Sequence, residues 1–471
     1  MQDSAPLMAQ HFAQVPHAPI GFIDQNQGIR ICCSMDCGST RAAVKIIHDS
    51  QSNFQALLRR RSCPWTDHSR WRNDCASFFS GCPVTISAHP GLIWFGIALA
   101  SLAMVYSVAA LLAVRMRILP SRSAAEDSSA PENLPPVTVL KPLCGAEHEI
   151  YQCLRSFCEQ DYPRFQVVFG VSDSDDPAIA VVHRLQREFA HIDIKLAVDR
   201  RQHGSSPKVS NLINMMCLAQ HDHLVLSDSD VRVGSDYLSK VVAPLLDPSV
   251  GIVTCTYSGW QRPGLWSLLG SLFINEWFTP SVRVAAMSGS RAFAFGATIA
   301  MRRKVLTDIG GFMSIANQLA DDYRLGELTR RMGLRTVLSD VVVETCVDER
   351  NFGELVRHEL RWLRTIRAVN PMGYALSFIT FGVPVAALGS LLAAGAAAAV
   401  AMLGITAAAR VMLHLTVRKR GTALSHMLVL PIRDTLSFAL WGWGFVTRRV
   451  HWRDDHFQVT RDGSVESVVR Y

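Results

Sequence analysis

The run Leu92–Val114, LIWFGIALASLAMVYSVAALLAV, is 23 residues long and carries no charge. A helix of that length crosses a ~30 Å hydrocarbon core, and a soluble fold has little use for one so uniformly apolar. Whatever else this chain builds must therefore be joined to a membrane helix. Arg115, Arg117 and Arg122 follow at once. Positive charge flanking a span faces the cytoplasm, so the next domain is expected there. A composition of 49% hydrophobic and 18% charged residues suits a soluble domain attached to membrane segments.

Residues 1–88 show no sustained periodicity and read as a poorly structured extension. Six of the 12 cysteines (Cys32, Cys33, Cys37, Cys63, Cys75, Cys82) fall there without metal-ligand spacing, and read as thiols. Residues 89–118 hold the first membrane helix, and 119–135, rich in Pro, Ser, Ala and acid, read as a linker. From 136 to 370 apolar strand runs alternate with helical periods, which predicts an α/β domain with a parallel sheet and helices on both faces. Residues 371–447 form a C-terminal membrane region. Tyr374–Ala409 is apolar and small-residue-rich and, with the helix running on to Val417, predicts two close-packed spans turning near Gly389–Gly395. Leu424–Val446 is interrupted by Pro431, Arg433 and Asp434, so a re-entrant or interfacial segment is expected. The tail, 448–471, is placed in the cytoplasm. The formal charge of +7 sits beside apolar segments, and no helix-turn-helix, zinc-finger or RNA-binding signature is present, so no nucleic-acid partner is expected.

Within the α/β domain the chemistry concentrates where strands end. Leu224–Leu226 is a short apolar strand that runs into Ser227-Asp228-Ser229-Asp230. The C-terminal edge of such a strand is where open α/β sheets bind ligands. Two carboxylates one residue apart can share one hard cation, Mg²⁺ or Mn²⁺, together with phosphate oxygens. A solvated turn with Asx hydrogen bonds is the plainer reading. Asp173 ends another strand and reads as a donor-binding carboxylate, with Asp175 and Asp176 as helix caps. Lys208 reads either as a phosphate ligand or as a surface lysine. Asp321-Asp322 opens a helix at about 322–332, suiting either the helix dipole or a catalytic base. Arg361, Arg364 and Arg367 share a helical face beside Trp362 and suit a diphosphate, or anionic headgroups. Leu265–Val284, with Trp266, Phe273, Trp277 and Phe278, reads as an amphipathic helix at the membrane surface or one packed on the sheet. Phe293–Ala300 is expected to be a strand in which Gly296 lets backbone approach a sugar.

The order Asp173, Asp228-Ser229-Asp230, Asp321-Asp322, Arg361-Trp362 resembles the D, D-x-D, D, (Q/R)-x-x-R-W pattern of family 2-like membrane glycosyltransferases, over roughly 90–450. It is most similar to the ceramide glucosyltransferase group. VLKPLCGAE (139–147), KVSNLINM (208–215), QLADDYRLGELTRR (318–331) and HELRWLRTIR (358–367) resemble its bacterial hopanoid-biosynthesis branch. The resemblance implies a GT-A (Rossmann-like) fold facing the cytoplasm at a bacterial inner membrane, with one N-terminal and two or three C-terminal membrane helices. It implies inverting transfer from a UDP-sugar, N-acetylglucosamine first, to a lipid hydroxyl, bacteriohopanetetrol first. Glucose transfer to ceramide is the alternative. By it, Asp228 and Asp230 hold the metal, Asp322 is the base, and Asp321 tunes it. Asp173, Lys208, Gly296, Arg361 and Trp362 face the donor. His358 departs from the pattern, standing where Gln or Arg is usual. A processive polysaccharide synthase would share these carboxylates but needs more membrane helices, and a dead transferase domain acting as a scaffold would have no need of them.

Overall fold

A computed structural model of the chain describes residues 89–116, 134–146, 149–318, 320–418 and 424–446, and the backbone of short strands outside these ranges. Arg117, Arg122, most of the 119–135 linker, Lys419, Arg420, Arg448 and Arg453 lie outside the described residues, as do Cys37, Cys63, Cys75 and Cys82.

The chain divides into two units, Met1–Thr85 and Ile86–Tyr471. In the first, β1 (Ile20–Ile23), β2 (Ile29–Met35) and β3 (Ala42–His48) pair antiparallel in sequence order. Strands therefore occupy part of the stretch read as poorly structured. Ile29, Ile31, Val44 and Ile46 recur at period two within them, a short-range signal that the search for longer periodicity passes over.

The second unit opens with α1 (Pro90–Arg115), whose proline sits in the first turn, where its missing N–H costs nothing. Strand–helix alternation follows: β4 (Val137–Pro142), α2 (Ile150–Cys158), β5 (Phe165–Val171), α3 (Ala178–Glu188), β6 (Asp193–Val198), α4 (Pro207–Met215) and β7 (His223–Leu226). Next come β8 (Val231–Arg232), α5 (Tyr237–Val242), β9 (Val250–Gln261), α6 (Leu265–Phe273), α7 (Thr279–Met287) and β10 (Ile299–Arg302). The domain closes with α8 (Arg303–Asp308), α9 (Asp321–Arg331), β11 (Arg335–Val347) and α10 (Phe352–Val369).

Eight of these strands form one sheet in the order β6-β5-β4-β7-β10-β9-β11-β8. Alternate residues serve opposite cores. Val139, Val167 and Val225 pack with Leu154, Phe157 and Val182, while Leu140, Val168 and Leu226 pack with Val209, Leu212 and Met215. That is why these strands read as unbroken apolar runs. The winding reverses at β4, with β5 and β6 on one side and β7 on the other, and the crevice at such a switch point is where ligands bind. The expected parallel sheet is in fact mixed. β10 runs antiparallel to β7 and β9, and β8 antiparallel to β11. After β9 the chain leaves through α6 and α7 without crossing back over a sheet face, so β10 re-enters from the same edge.

The α6–α7 segment is one helix with a π-spaced turn at Ile274–Phe278. It is packed between neighbours rather than lying free. Asn275 Oδ1 accepts from Gly259 N of β9 at 2.8 Å, and Tyr106 of α1 shares a 2.8 Å hydrogen bond with Ser281. Phe293–Ala300 is a turn rather than a strand up to Ile299, closed by a Phe295–Thr298 bridge around Gly296.

The C-terminal region comprises α11 (Pro371–Leu376), α12 (Gly382–Leu392), α13 (Ala397–Val417) and α14 (Leu430–Trp443), followed by β12 (Arg449–Trp452), β13 (Asp455–Val459) and β14 (Val465–Ser467). Among the described residues, only α1 and α13 are single helices long and apolar enough to cross a membrane. The expected span before α13 is instead broken. Pro371–Thr380 and Gly382–Leu392 meet at 76° across Phe381, and α12 alone, at 11 residues, is too short to span. Small residues let α12 and α1 touch: a Cβ on Gly96 would lie 2.4 Å from the Gly389 carbonyl.

Candidate active site

The Asp-Ser-Asp turn is pinned on every side. Ser227 N donates to Leu140 O at 3.2 Å, and Cys346 N to Asp230 O at 3.0 Å. Lys141, fully buried on β4, reaches under the turn and donates to the Asp228 carbonyl at 2.6 Å, its ammonium 3.8 Å from the Phe157 ring centre. Burial lowers the Lys141 ammonium to about 8. Thr345 on β11 donates to Asp230 Oδ2 at 2.5 Å. A buried lysine at a strand end, such as Lys141, carries no periodic signature in the sequence.

Three elements converge on these carboxylates. Lys208, in the first turn of α4, meets Asp228 Oδ1 at 2.7 Å and Asp321 Oδ2 at 3.3 Å. Burial alone would lower the Lys208 ammonium, but Asp228, Asp321 and Asp322 together raise it. Burial likewise pushes the Asp228 carboxyl up, yet Lys208, with Lys141 and Arg361, makes the net shift downward. Asp230 lacks that cation, so burial and the Asp228 charge leave its carboxyl raised.

Asp321 and Asp322 open α9, but neither is its N-cap residue, which is Ala320, without a side-chain bond. Asp322 Oδ1 accepts from the first-turn Tyr323 amide at 2.7 Å, and the Gly296 amide donates to its Oδ2 at 2.9 Å, across 26 residues of sequence. Burial, then the Asp321 charge, lift the Asp322 carboxyl to about 6, well placed for taking a proton near neutrality. Gly296 also fits the space between the two acidic pairs: a Cβ there would lie 2.9 Å from Asp228 Oδ2 and 3.1 Å from Lys208 Nζ. A pocket bounded by Pro142, Lys208, Ser227, Asp228, Gly296 and Asp321 opens at this point.

On the far side α10 brings Arg361 and Trp362. Burial lowers the Arg361 guanidinium, and Asp228, Asp230, Tyr257 and Asp322 are the charges that oppose this. Trp362 meets Tyr257, Phe278 and Phe273 with ring centres 5.8, 5.6 and 6.0 Å away. His358 is engaged by Glu349, Nδ1 to Oε1 2.5 Å.

Asp173, just past the end of β5, is 61% exposed in its side chain and pairs with Arg200 at 2.8 Å. Asp176 does cap α3, accepting from Ala178 N at 2.8 Å. Arg410, Glu276, His414 and Asp434, in contact around the apolar C-terminal helices, were not foreseen as a group. The signal was charge interrupting apolar runs.

Among the described residues no three of His, Cys, Asp and Glu converge as a ready metal cage. The half-buried Asp228–Asp230 pair, one member with its pKa raised, fits a divalent ion that completes its shell with phosphate oxygens and water.

Residues 95–465 match the family described as Glycosyl transferase family 21. Ceramide glucosyltransferase 3 of Caenorhabditis elegans is 25% identical over 217 residues, 45% of this chain and 46% of that protein. A ceramide glucosyltransferase of Komagataella phaffii is 34% identical over 119 residues, 24% of this chain and 23% of its own. The chain thus spans less than half the length of these relatives. A mannosyltransferase from Pyrobaculum calidifontis, solved with GDP-Man and Mn²⁺, superposes with a TM-score of 0.44 at 22% identity, covering 75% of this chain and 98% of that one.

Proposed function

The chain belongs to glycosyl transferase family 21, a glycosyltransferase with a GT-A-like fold, and on that premise we propose that it transfers a hexose from a UDP-sugar to a lipid hydroxyl with inversion. The observation that carries the reading is Gly296. Its amide holds Asp322, and its missing side chain leaves room for Asp228, so a proton acceptor and a diphosphate-side carboxylate meet at one glycine.

In this reading Asp322 takes the proton from the acceptor hydroxyl as that oxygen attacks the anomeric carbon from the face opposite the UDP. The new C–O bond forms as the bond to the diphosphate breaks. Asp321, paired to Lys208, raises the basicity of Asp322. Lys208 and Arg361 offset negative charge on the diphosphate side. Trp362, with Tyr257 and Phe278, walls the acceptor approach. Mg²⁺ or Mn²⁺ held by Asp230 and Asp228 would neutralise the leaving diphosphate. Asp173, exposed past the end of β5 and paired with Arg200, would hold the ribose or base edge of the donor. The catalytic domain faces the cytoplasm.

Ceramide, with glucose as the sugar, is the acceptor favoured by the similar proteins. The VLKPLCGAE and HELRWLRTIR stretches favour a second reading, N-acetylglucosamine transfer to a hopanoid polyol in a bacterial membrane. The test is a transfer assay in detergent with a divalent metal, offering UDP-glucose and UDP-N-acetylglucosamine each with ceramide and bacteriohopanetetrol. Glucosylceramide alone supports the first acceptor, and N-acetylglucosaminyl-hopanoid alone the second. No product from any pairing overturns lipid transfer.

A further inference from the structure

We propose that Glu359 and Arg433 are a positioning pair through which the apolar helix α14 sets the rotation of α10, and so aims Arg361 and Trp362. The inference rests on the UDP-sugar reading above.

Leu355, Glu359 and Leu363 recur at four-residue spacing on α10 and are all buried. Glu359 is the one charge on that stripe, and it meets Arg433 Nη2 at 2.8 Å, the two side chains 3% and 2% exposed. Arg361 lies two residues on, about 200° around the helix. Fixing the Glu359 face therefore fixes the opposite face, the one turned toward Asp228, Asp230 and Asp322. Arg433 also lies over the Phe273 ring at 5.1 Å, and Phe273 is one of the rings against Trp362. The pair thus touches the Arg-Trp motif from two directions.

Arg433 is itself anchored. Its neighbour Asp434 takes hydrogen bonds from Arg410 Nε at 2.9 and 3.0 Å, and from Arg410 Nη2 at 2.9 Å. Arg410, on α13, also reaches Glu276 Oε2 at 2.5 Å, in the π-spaced turn. His414, one turn along α13, shares a 2.6 Å hydrogen bond with Glu276 Oε1. Charges kept in apolar surroundings are costly, and those that persist are paired. Here the pairs form a tether from α13 and the wide turn, through α14, to α10. Neither the Arg433 guanidinium nitrogens nor the Glu359 carboxylate oxygens have a hydrogen-bond partner of good geometry among the described residues, so the two groups compensate each other as an ion pair.

Two variants of the full chain in detergent test this. E359Q/R433Q leaves no unpaired charge and is expected to fold, but with no fixed point for α10 its kcat should fall roughly tenfold and its donor KM rise roughly threefold. E359D keeps both charges and shortens one arm; donor KM should rise while acceptor KM and the thermal transition stay near wild type. UDP affinity by calorimetry should weaken in step in both. A purely stabilising pair predicts wild-type kinetics for the double variant, and that result overturns the proposal. Should the double variant fail to fold, unchanged donor KM and UDP affinity in E359D overturn it. A wild-type protein that binds no UDP overturns the function reading itself. Variants that bind UDP as the wild type does overturn the pair alone.

Discussion

The Lys208 ammonium stands 2.7 Å from Asp228 Oδ1 and so joins α4 to the turn after β7. The same ammonium meets Asp321 at 3.3 Å and so bridges the two acidic motifs. Lys208→Met should leave three carboxylates facing each other with less compensation. Lys208 is one of the charges holding Asp322 down, so its loss should push the Asp322 carboxyl above about 6. The acid limb of the kcat/KM profile should then move to higher pH, and a limb that stays put would remove Lys208 from this role. Stability should fall by about 1–3 kcal/mol, as for a lost hydrogen bond to a buried charged group.

Asp322→Asn should lower transfer about 100- to 10,000-fold while UDP binding persists, the usual scale for a removed general base. In the wild type, activity should fall as pH drops through about 6, because the base is then protonated. Stability runs the other way. The folded carboxyl binds its proton more tightly than the unfolded one, so between the ordinary carboxylate range and about pH 6 stability declines as pH rises. Asn carries no charge to desolvate, and the variant should melt at or above the wild-type temperature at neutral pH. Intact turnover would show that another group is the base.

Gly296→Ala should overpack the pocket mouth. The added carbon meets a carboxylate at 2.9 Å and an ammonium at 3.1 Å, both on constrained side chains. A cost of about 1–3 kcal/mol is expected, with a greater effect on turnover than on folding. Calorimetric unfolding beside kcat measures both, and wild-type turnover would mean the site opens more readily than the geometry implies.

Chelation of divalent ions should weaken UDP binding, and Asp230→Asn should reproduce the loss in the presence of metal. Thr345→Val offers a milder version, since it frees Asp230 Oδ2 from a 2.5 Å hydrogen bond without removing the charge. UDP affinity that is indifferent to chelation would overturn the carboxylate-pair reading.

The local motifs were legible because their signals are local. Val225 and Leu226 running into Asp228 and Asp230 announce a buried strand and its edge, and Asp321-Asp322 sits at the predicted helix start. That Asp322 would bond Gly296, besides the Tyr323 amide of its own helix, is a tertiary fact with no trace in the spacing. The direction of β10 was missed because period-two patterning is the same for either direction. Asp173 stands just past β5, as its place after an apolar run indicates, but its pairing with Arg200 after β6 is a tertiary contact with no trace in the spacing. Apolar content announced Tyr374–Ala409 as membrane-like, but hydropathy is blind to the 76° bend at Phe381.

The π-spaced turn at Ile274–Phe278 works as a phase shift in an otherwise regular rod. One additional residue in a turn rotates everything beyond it by about 100°. Upstream, Leu268, Leu269 and Leu272 are buried; downstream, Ser281 and Arg283 are presented to α1. Deleting a single residue here would keep composition and amphipathicity nearly intact while turning one half of the helix away from its partner. The helix is thus a keyed coupling, in which residue count as well as residue type is constrained.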